Sequence, residues 1–279
     1  MIDVRPSPIA GQWYEGDPTT LAEIVDEYLN AATLPELRGD VLGVIAPHAG
    51  HMYSGAVAGY AFAALRELRP EVVAVIGPMH RPYDEPLLTT THDAYFTPLG
   101  SILVDRTALK DLDVILKSEL GYGMTPVARD PEHSLEIELP FLQRIFQHEW
   151  KLLPIMVRAL DERVSEGLGN ALATVLRDQK AVFVASTDLS HFFQHETALT
   201  YDRAMLKEIE AFNPAGAFDL DRTRKGFACG LGAFTSVLWA CKKLGADAVN
   251  VLRHATSGNV TGDYSSVVGY AAAAILKSK

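Results

Sequence analysis

Three short, mostly branched apolar runs constrain this chain more than any other feature: VLGVIA at 41–46, VVAVIG at 72–77 and AVFVA at 181–185. None alternates with polar residues, so each predicts a strand covered on both faces, as in sheets of parallel strands. Each run also stops abruptly, at Pro47, at Gly77-Pro78 and at Ser186. Helical patterns separate them. Asp17-Pro18 opens one helix with a capping carboxylate and a proline whose missing amide costs nothing there. Leu21, Ile24, Val25, Tyr28 and Leu29 then follow at helical spacing.

Further helices are predicted over 56–67, 107–117 and 162–177, with two more helical segments between 191 and 248. Further strands are predicted over 87–90, 102–104, 152–157 and 248–252, and the apolar stretch 266–276 completes the chain. The segment from Glu132 alternates and then turns helical through Phe146, with Pro140 expected to bend it. Strands alternating with helices predict an α/β fold with a central, largely parallel or mixed sheet flanked by helices. No Gly/Ser linker, charge-block tail or internal repeat interrupts the pattern, so residues 1–279 are expected to form a single domain.

Composition narrows the function. The formal charge is −10 and no Lys/Arg cluster offers a nucleic-acid footprint, so small molecules or protein partners are expected instead. No run of about 18 apolar residues predicts a membrane span. The first residues lack a signal-peptide pattern, and two cysteines are too few for a disulfide framework; a cytoplasmic location is expected.

His48, His80 and His191 each lie just after a predicted strand. Loops at the carboxyl ends of strands form the usual ligand crevice of an open α/β sheet. Parallel neighbours would therefore bring the three imidazoles together, and imidazole suits first-row transition metals. Three unrelated loop histidines are the competing reading. Cys241 shares an apolar helical stripe with Phe234, Val237 and Leu238, which marks it as core. Cys229 precedes that helix between small residues, where amides and the helix dipole favour a thiolate able to bind metal. A buried inert thiol is the alternative.

Asp188 and His191 share the string STDLSH, close enough for the carboxylate to orient an imidazole general base or simply to cap a turn. His133 precedes Glu136 and Glu138, whose alternation with Leu135, Ile137 and Leu139 fits a solvated strand face as well as a site. Phosphate-loop, dinucleotide, HExxH and GxSxG motifs are absent.

The strings PHAGHMYSG, GPMH, EHSLEIELPFL, STDLSH, CGLGAF and GDYSSVVGYAA, in this order along nearly the whole chain, resemble the Memo family. Its prokaryotic members are also called AmmeMemoRadiSam system protein B. The resemblance implies a LigB-like architecture, similar to class III extradiol dioxygenases. It implies His48, His80 and Cys229 as metal ligands, with Asp188 and His191 in the same vestibule and His133 near it. Fe(II) is the implied metal, with Cu(I) the alternative. A thiolate in place of the dioxygenases' carboxylate shifts preference toward copper(I) or a more covalent iron–sulfur bond.

The expected function is a metal-dependent redox or dioxygenase-like enzyme on a small substrate. His191 is then the general acid/base, Asp188 its tuner and His133 a second candidate. The family also implies a functional link to AMMECR-type and radical SAM proteins. Two alternatives come with it: a non-catalytic adaptor binding phosphotyrosine peptides in the same pocket, and a protein that handles iron or copper without turnover.

Overall fold

The computed structural model describes residues 2–279. The first half contains β1 (Val4–Arg5), α1 (Pro18–Ala31), β2 (Asp40–Ala46), α2 (His51–Ala63), β3 (Val72–Pro78), β4 (Leu87–Thr90), β5 (Ala94–Thr97), β6 (Gly100–Leu103), α3 (Arg106–Leu120) and β7 (Thr125–Val127). The second half contains α4 (Leu139–Ile145), β8 (Lys151–Val157), α5 (Glu162–Leu176), β9 (Ala181–Ser186), β10 (His191–Phe193), α6 (His195–Glu210), α7 (Pro214–Arg222), α8 (Leu231–Lys243), β11 (Ala248–Thr256), α9 (Gly258–Thr261) and β12 (Val267–Lys277).

The three apolar runs lie side by side. β2, β9, β3 and β8 are consecutive parallel neighbours at the centre of the large sheet, with Ala46 opposite Ser186 and Ile76 opposite Ala185. Antiparallel strands flank them, β12 beside β2 and β4 beside β8, so the sheet is mixed. Helix α2 packs on β2, β11 and β12 with α1 and α4 against it; α8 packs on β2, β9 and β3 and carries α5. One continuous apolar cluster runs through these layers.

Local chemistry explains the elements. Asp17 caps α1 by accepting the Thr20 amide at 2.9 Å, and Asp105 and Asp161 cap α3 and α5 in the same way. Helices α1 and α2 approach closely because Gly59 has no side chain: a β-carbon there would stand 2.5 Å from the Tyr28 carbonyl oxygen.

Several expectations need correction. The helix predicted over 56–67 begins earlier, at His51, because Gly50 ends the extended chain and frees the following residues to coil. Pro140 does not bend a helix; it occupies the first turn of α4, where its missing amide is harmless. The predicted strand over 102–104 is β6, which belongs to a separate three-stranded sheet with β1 and β5. Three helices, α6, α7 and α8, fill the stretch where two were expected. The strand predicted over 248–252 runs on to Thr256, and the apolar 266–276 stretch forms its partner β12. No helix among the described residues is long and apolar enough to cross a membrane.

Candidate metal centre and vestibule

β2, β9 and β3 are parallel neighbours, so their carboxyl ends present their loops side by side. His48 follows β2, Asp188 and His191 follow β9, and His80 follows β3. Cys229 arrives from the loop before α8. It is stitched to the β9 loop: its amide donates to the Asp188 carbonyl at 3.2 Å, and the Asp188 amide donates to its Sγ at 3.2 Å.

His48 Nε2 stands 3.0 Å from Cys229 Sγ. One ligand atom from each of His48, His80 and Cys229 lies within 4.8 Å of the others. Donors bound at 2.0–2.3 Å to one tetrahedral ion stand about 3.3–4 Å apart, so the trio fits a metal with little adjustment. The second half of the test is which lone pairs face inward. Ser186 Oγ donates to the Ser134 carbonyl at 2.6 Å and so accepts from His48 Nδ1 at 2.8 Å. That assigns the His48 proton to Nδ1 and leaves the Nε2 lone pair toward Cys229. Glu132 does the same for His80: Oε1 lies 2.9 Å from Nδ1, while Oε2 accepts the His80 amide at 2.7 Å. Imidazoles held from behind by an acceptor are the usual dress of a metal site.

Electrostatics agree. Burial, reinforced by His133 and His80, holds His48 well below the ordinary imidazole range, so it stays neutral and able to ligate. Burial would raise Glu132, but the hydrogen bond and charge of His80, with His133, outweigh it and hold the carboxyl at about 2. The Cys229 thiol is pushed far up by burial and by Asp188, against the pull of neighbouring amides. The expectation of a thiolate favoured by the helix terminus is therefore corrected for the protein alone: α8 starts two residues later, and burial dominates. A bound cation would supply the missing charge, since coordination deprotonates a thiol.

Above the trio opens a vestibule of about 650 Å³, lined by His48, His80, His133, Asp188 and His191 with Trp13, Tyr53, Phe192 and Tyr270. Asp188 does not orient His191 as expected. Their closest approach is 4.0 Å, too long for a hydrogen bond, and His191 Nδ1 instead bonds the Leu189 carbonyl at 2.9 Å. Asp188 Oδ1 accepts the His48 amide at 2.8 Å, so the carboxylate positions the ligand loop. Burial, opposed by the His48 and Ala49 amides, pushes Asp188 up to about 7. His191 is lowered, chiefly by burial.

His133 stacks between two rings, 4.6 Å from His80 and 4.0 Å from Trp13 between centroids, and burial lowers it to about 4. The solvated-face reading of its neighbours does not hold, because Glu136 and Glu138 are fully buried in a 3₁₀ turn leading into α4. Glu136 accepts from Arg5 and from Tyr14, tying the N-terminal segment under the site. Cys241 is core, as expected.

The model of the Memo family, described as Memo-like protein, matches residues 5–274. The chain belongs to the Memo family. Among its relatives, a MEMO1 family protein of Nitrosopumilus maritimus is 34% identical over 273 residues, covering 96% of this chain and 98% of its own. Others come from Methanopyrus kandleri, 34% identical over 281 residues with 96% and 97% covered, and Methanosarcina mazei, 35% over 276 residues with 97% and 98% covered.

Sequence reasoning on this Memo-family chain passed over Glu132, Ser186, Trp13 and Tyr53. Glu132 and Ser186 open the EHS and STDLSH strings that were singled out for their later residues. Each therefore sat in view, but the histidine it holds from behind, His80 for Glu132 and His48 for Ser186, lies 52 and 138 residues away. Tyr53 likewise lies inside the PHAGHMYSG string that carries His48, while Trp13 lies in the opening segment, far in sequence from the strand ends.

Proposed function

We propose that this protein is a metal-dependent redox enzyme, dioxygenase-like in its logic, with His48, His80 and Cys229 holding one iron(II), or copper(I) as the alternative. The observation that carries this is the pair of imidazoles held through Nδ1 by Ser186 and Glu132, with His48 Nε2 3.0 Å from Cys229 Sγ and ligand atoms of His48, His80 and Cys229 all within 4.8 Å of one another. When bound, such an ion supplies Lewis acidity and one-electron chemistry at an open position.

The chain's own residues do the rest. A small substrate enters the vestibule between Trp13, Tyr53 and Phe192. His191 bonds Leu189 through Nδ1, which leaves Nε2 to take or return a substrate proton. His133, pinned between His80 and Trp13, forms a wall that orients a planar substrate and is the second proton acceptor. Asp188 keeps the His48 loop in place.

Metal analysis after anaerobic purification tests the reading. About one equivalent is expected in the wild type and none in His48→Ala or Cys229→Ala. Dioxygen uptake by the loaded protein across a catechol panel then tests turnover, and metal-free wild type would reject the whole reading.

One observation favours a second reading. Trp13, Tyr53 and Phe192 remain partly exposed around the vestibule mouth, an apolar rim suited to a peptide side chain. Peptide binding that Asp188→Ala and His191→Ala both abolish, with no dioxygen uptake, would favour an adaptor.

A further inference from the structure

The trio has two sides. The vestibule touches His48 and His80 but not Cys229. A second cavity of about 150 Å³ touches His80 and Cys229 but not His48, Asp188 or His191. It lies past the ends of β3 and β8, where the loops after Pro78 and Val157 meet the start of α8. Met79, Val157, Ala159, Leu160 and Ala233 give it apolar walls, and the exposed Arg158 supplies its fixed charge. Leu160 is 65% exposed, so this side has its own opening to solvent. The vestibule is about four times larger and rimmed by aromatic rings, a shape for an organic substrate.

We propose that the small cavity is a separate entrance to Cys229 and His80 for an uncharged molecule of two or three atoms, of which dioxygen is the chemical type. The physical case is one of partition. A small apolar molecule gains by leaving water for the apolar walls given by Met79, Val157, Leu160 and Ala233, and a space of about this volume is large enough for xenon. The vestibule, once filled by substrate, blocks its own path to the metal position; an entrance on the far side stays open. Two molecules can then meet at the trio without passing each other. The choice of dioxygen rests on the metal-enzyme reading above, while the entrance itself does not.

Xenon pressurisation of metal-free crystals tests the cavity without any metal or turnover. We expect xenon between Met79, Leu160 and Ala233 in the wild type, and its loss in Ala159→Leu, which fills the cavity from its half-buried wall. In solution, hydrogen peroxide, uncharged and with only two heavy atoms, oxidises the Cys229 thiol to a sulfenic acid and is itself reduced to water; the sulfenic acid is trapped with dimedone and read by intact mass and peptide mapping. Ala159→Leu should slow that reaction about tenfold, and Val268→Phe, at a residue that also lines the vestibule and would narrow it, should leave it unchanged. Xenon absent from the wild-type cavity overturns the proposal even if Ala159→Leu fails to fold. So does a Cys229 reaction slowed by Val268→Phe and not by Ala159→Leu. Failure of the metal reading with xenon still bound would leave the entrance standing and remove dioxygen as its occupant.

Discussion

Replacing Glu132 with glutamine tests how far the metal site depends on the carboxylate behind His80. Oε1 accepts from His80 Nδ1, the His133 amide and the Ser134 amide, each at 2.9 Å, and Oε2 accepts the His80 amide at 2.7 Å. Glutamine offers one oxygen; placed at the Oε1 position it keeps three of these contacts and sets its own NH₂ against the His80 amide. Losing a charge-assisted hydrogen bond costs about 1.5–3 kcal/mol. Metal affinity, read by competition with a chromophoric chelator, should fall about 10–100-fold.

The pH dependence gives a second magnitude. A carboxyl held at about 2 instead of 4.5 contributes roughly 3 kcal/mol to folding when ionised. Its folded value is depressed, so the contribution is full above the unfolded value and disappears as pH falls toward the folded one. Chemical denaturation of the metal-free proteins should therefore show wild type ahead of Glu132→Gln at neutral pH, with the gap closing between about pH 4.5 and pH 2. Unchanged metal affinity together with a pH-independent gap would refute the reasoning.

Ser186→Ala strands the His48 Nδ1 proton in a buried place, so metal affinity should drop about tenfold in the same chelator competition. For Asp188 the sign reverses: burial raises its carboxyl to about 7, so ionisation weakens the fold as pH rises past the unfolded value and through 7. Metal-free Asp188→Asn should lose less stability than wild type between about pH 4 and pH 8, measured by thermal melts across that range. Gly59→Ala drives a β-carbon into the Tyr28 carbonyl and should cost about 1–3 kcal/mol in denaturant unfolding while leaving metal stoichiometry intact.

The strand ends that carry the site were legible because a strand buried on both faces leaves an unbroken apolar run. β2, β3 and β9 announce themselves in this way, and the loops that follow inherit their positions. Of the small sheet only β6 was legible, through the strand expected over 102–104; β1 and β5 are two and four residues long, and a buried Arg5 bonded to Asp130 and Glu136 holds β1 down. Glu136 and Glu138 misled for a related reason. Alternating carboxylates in sequence look solvated, and only a partner more than a hundred residues away makes burying Glu136 tolerable. Asp188 and His191 were read as a pair from three-residue spacing, but His191 Nδ1 bonds the Leu189 carbonyl instead, beside an irregular strand turn at Phe192 with φ of 63°.

The central claim is that His48, His80 and Cys229 bind one metal ion, and anomalous scattering at the iron and copper edges from anaerobically grown crystals tests it most directly. A single peak is expected within bonding distance of one ring nitrogen of each histidine and of Cys229 Sγ. His80, Glu132 and His133 form a competing cluster whose ligand atoms also lie within 4.8 Å of one another. A peak among those three residues, with Cys229 Sγ left unbound, would contradict it.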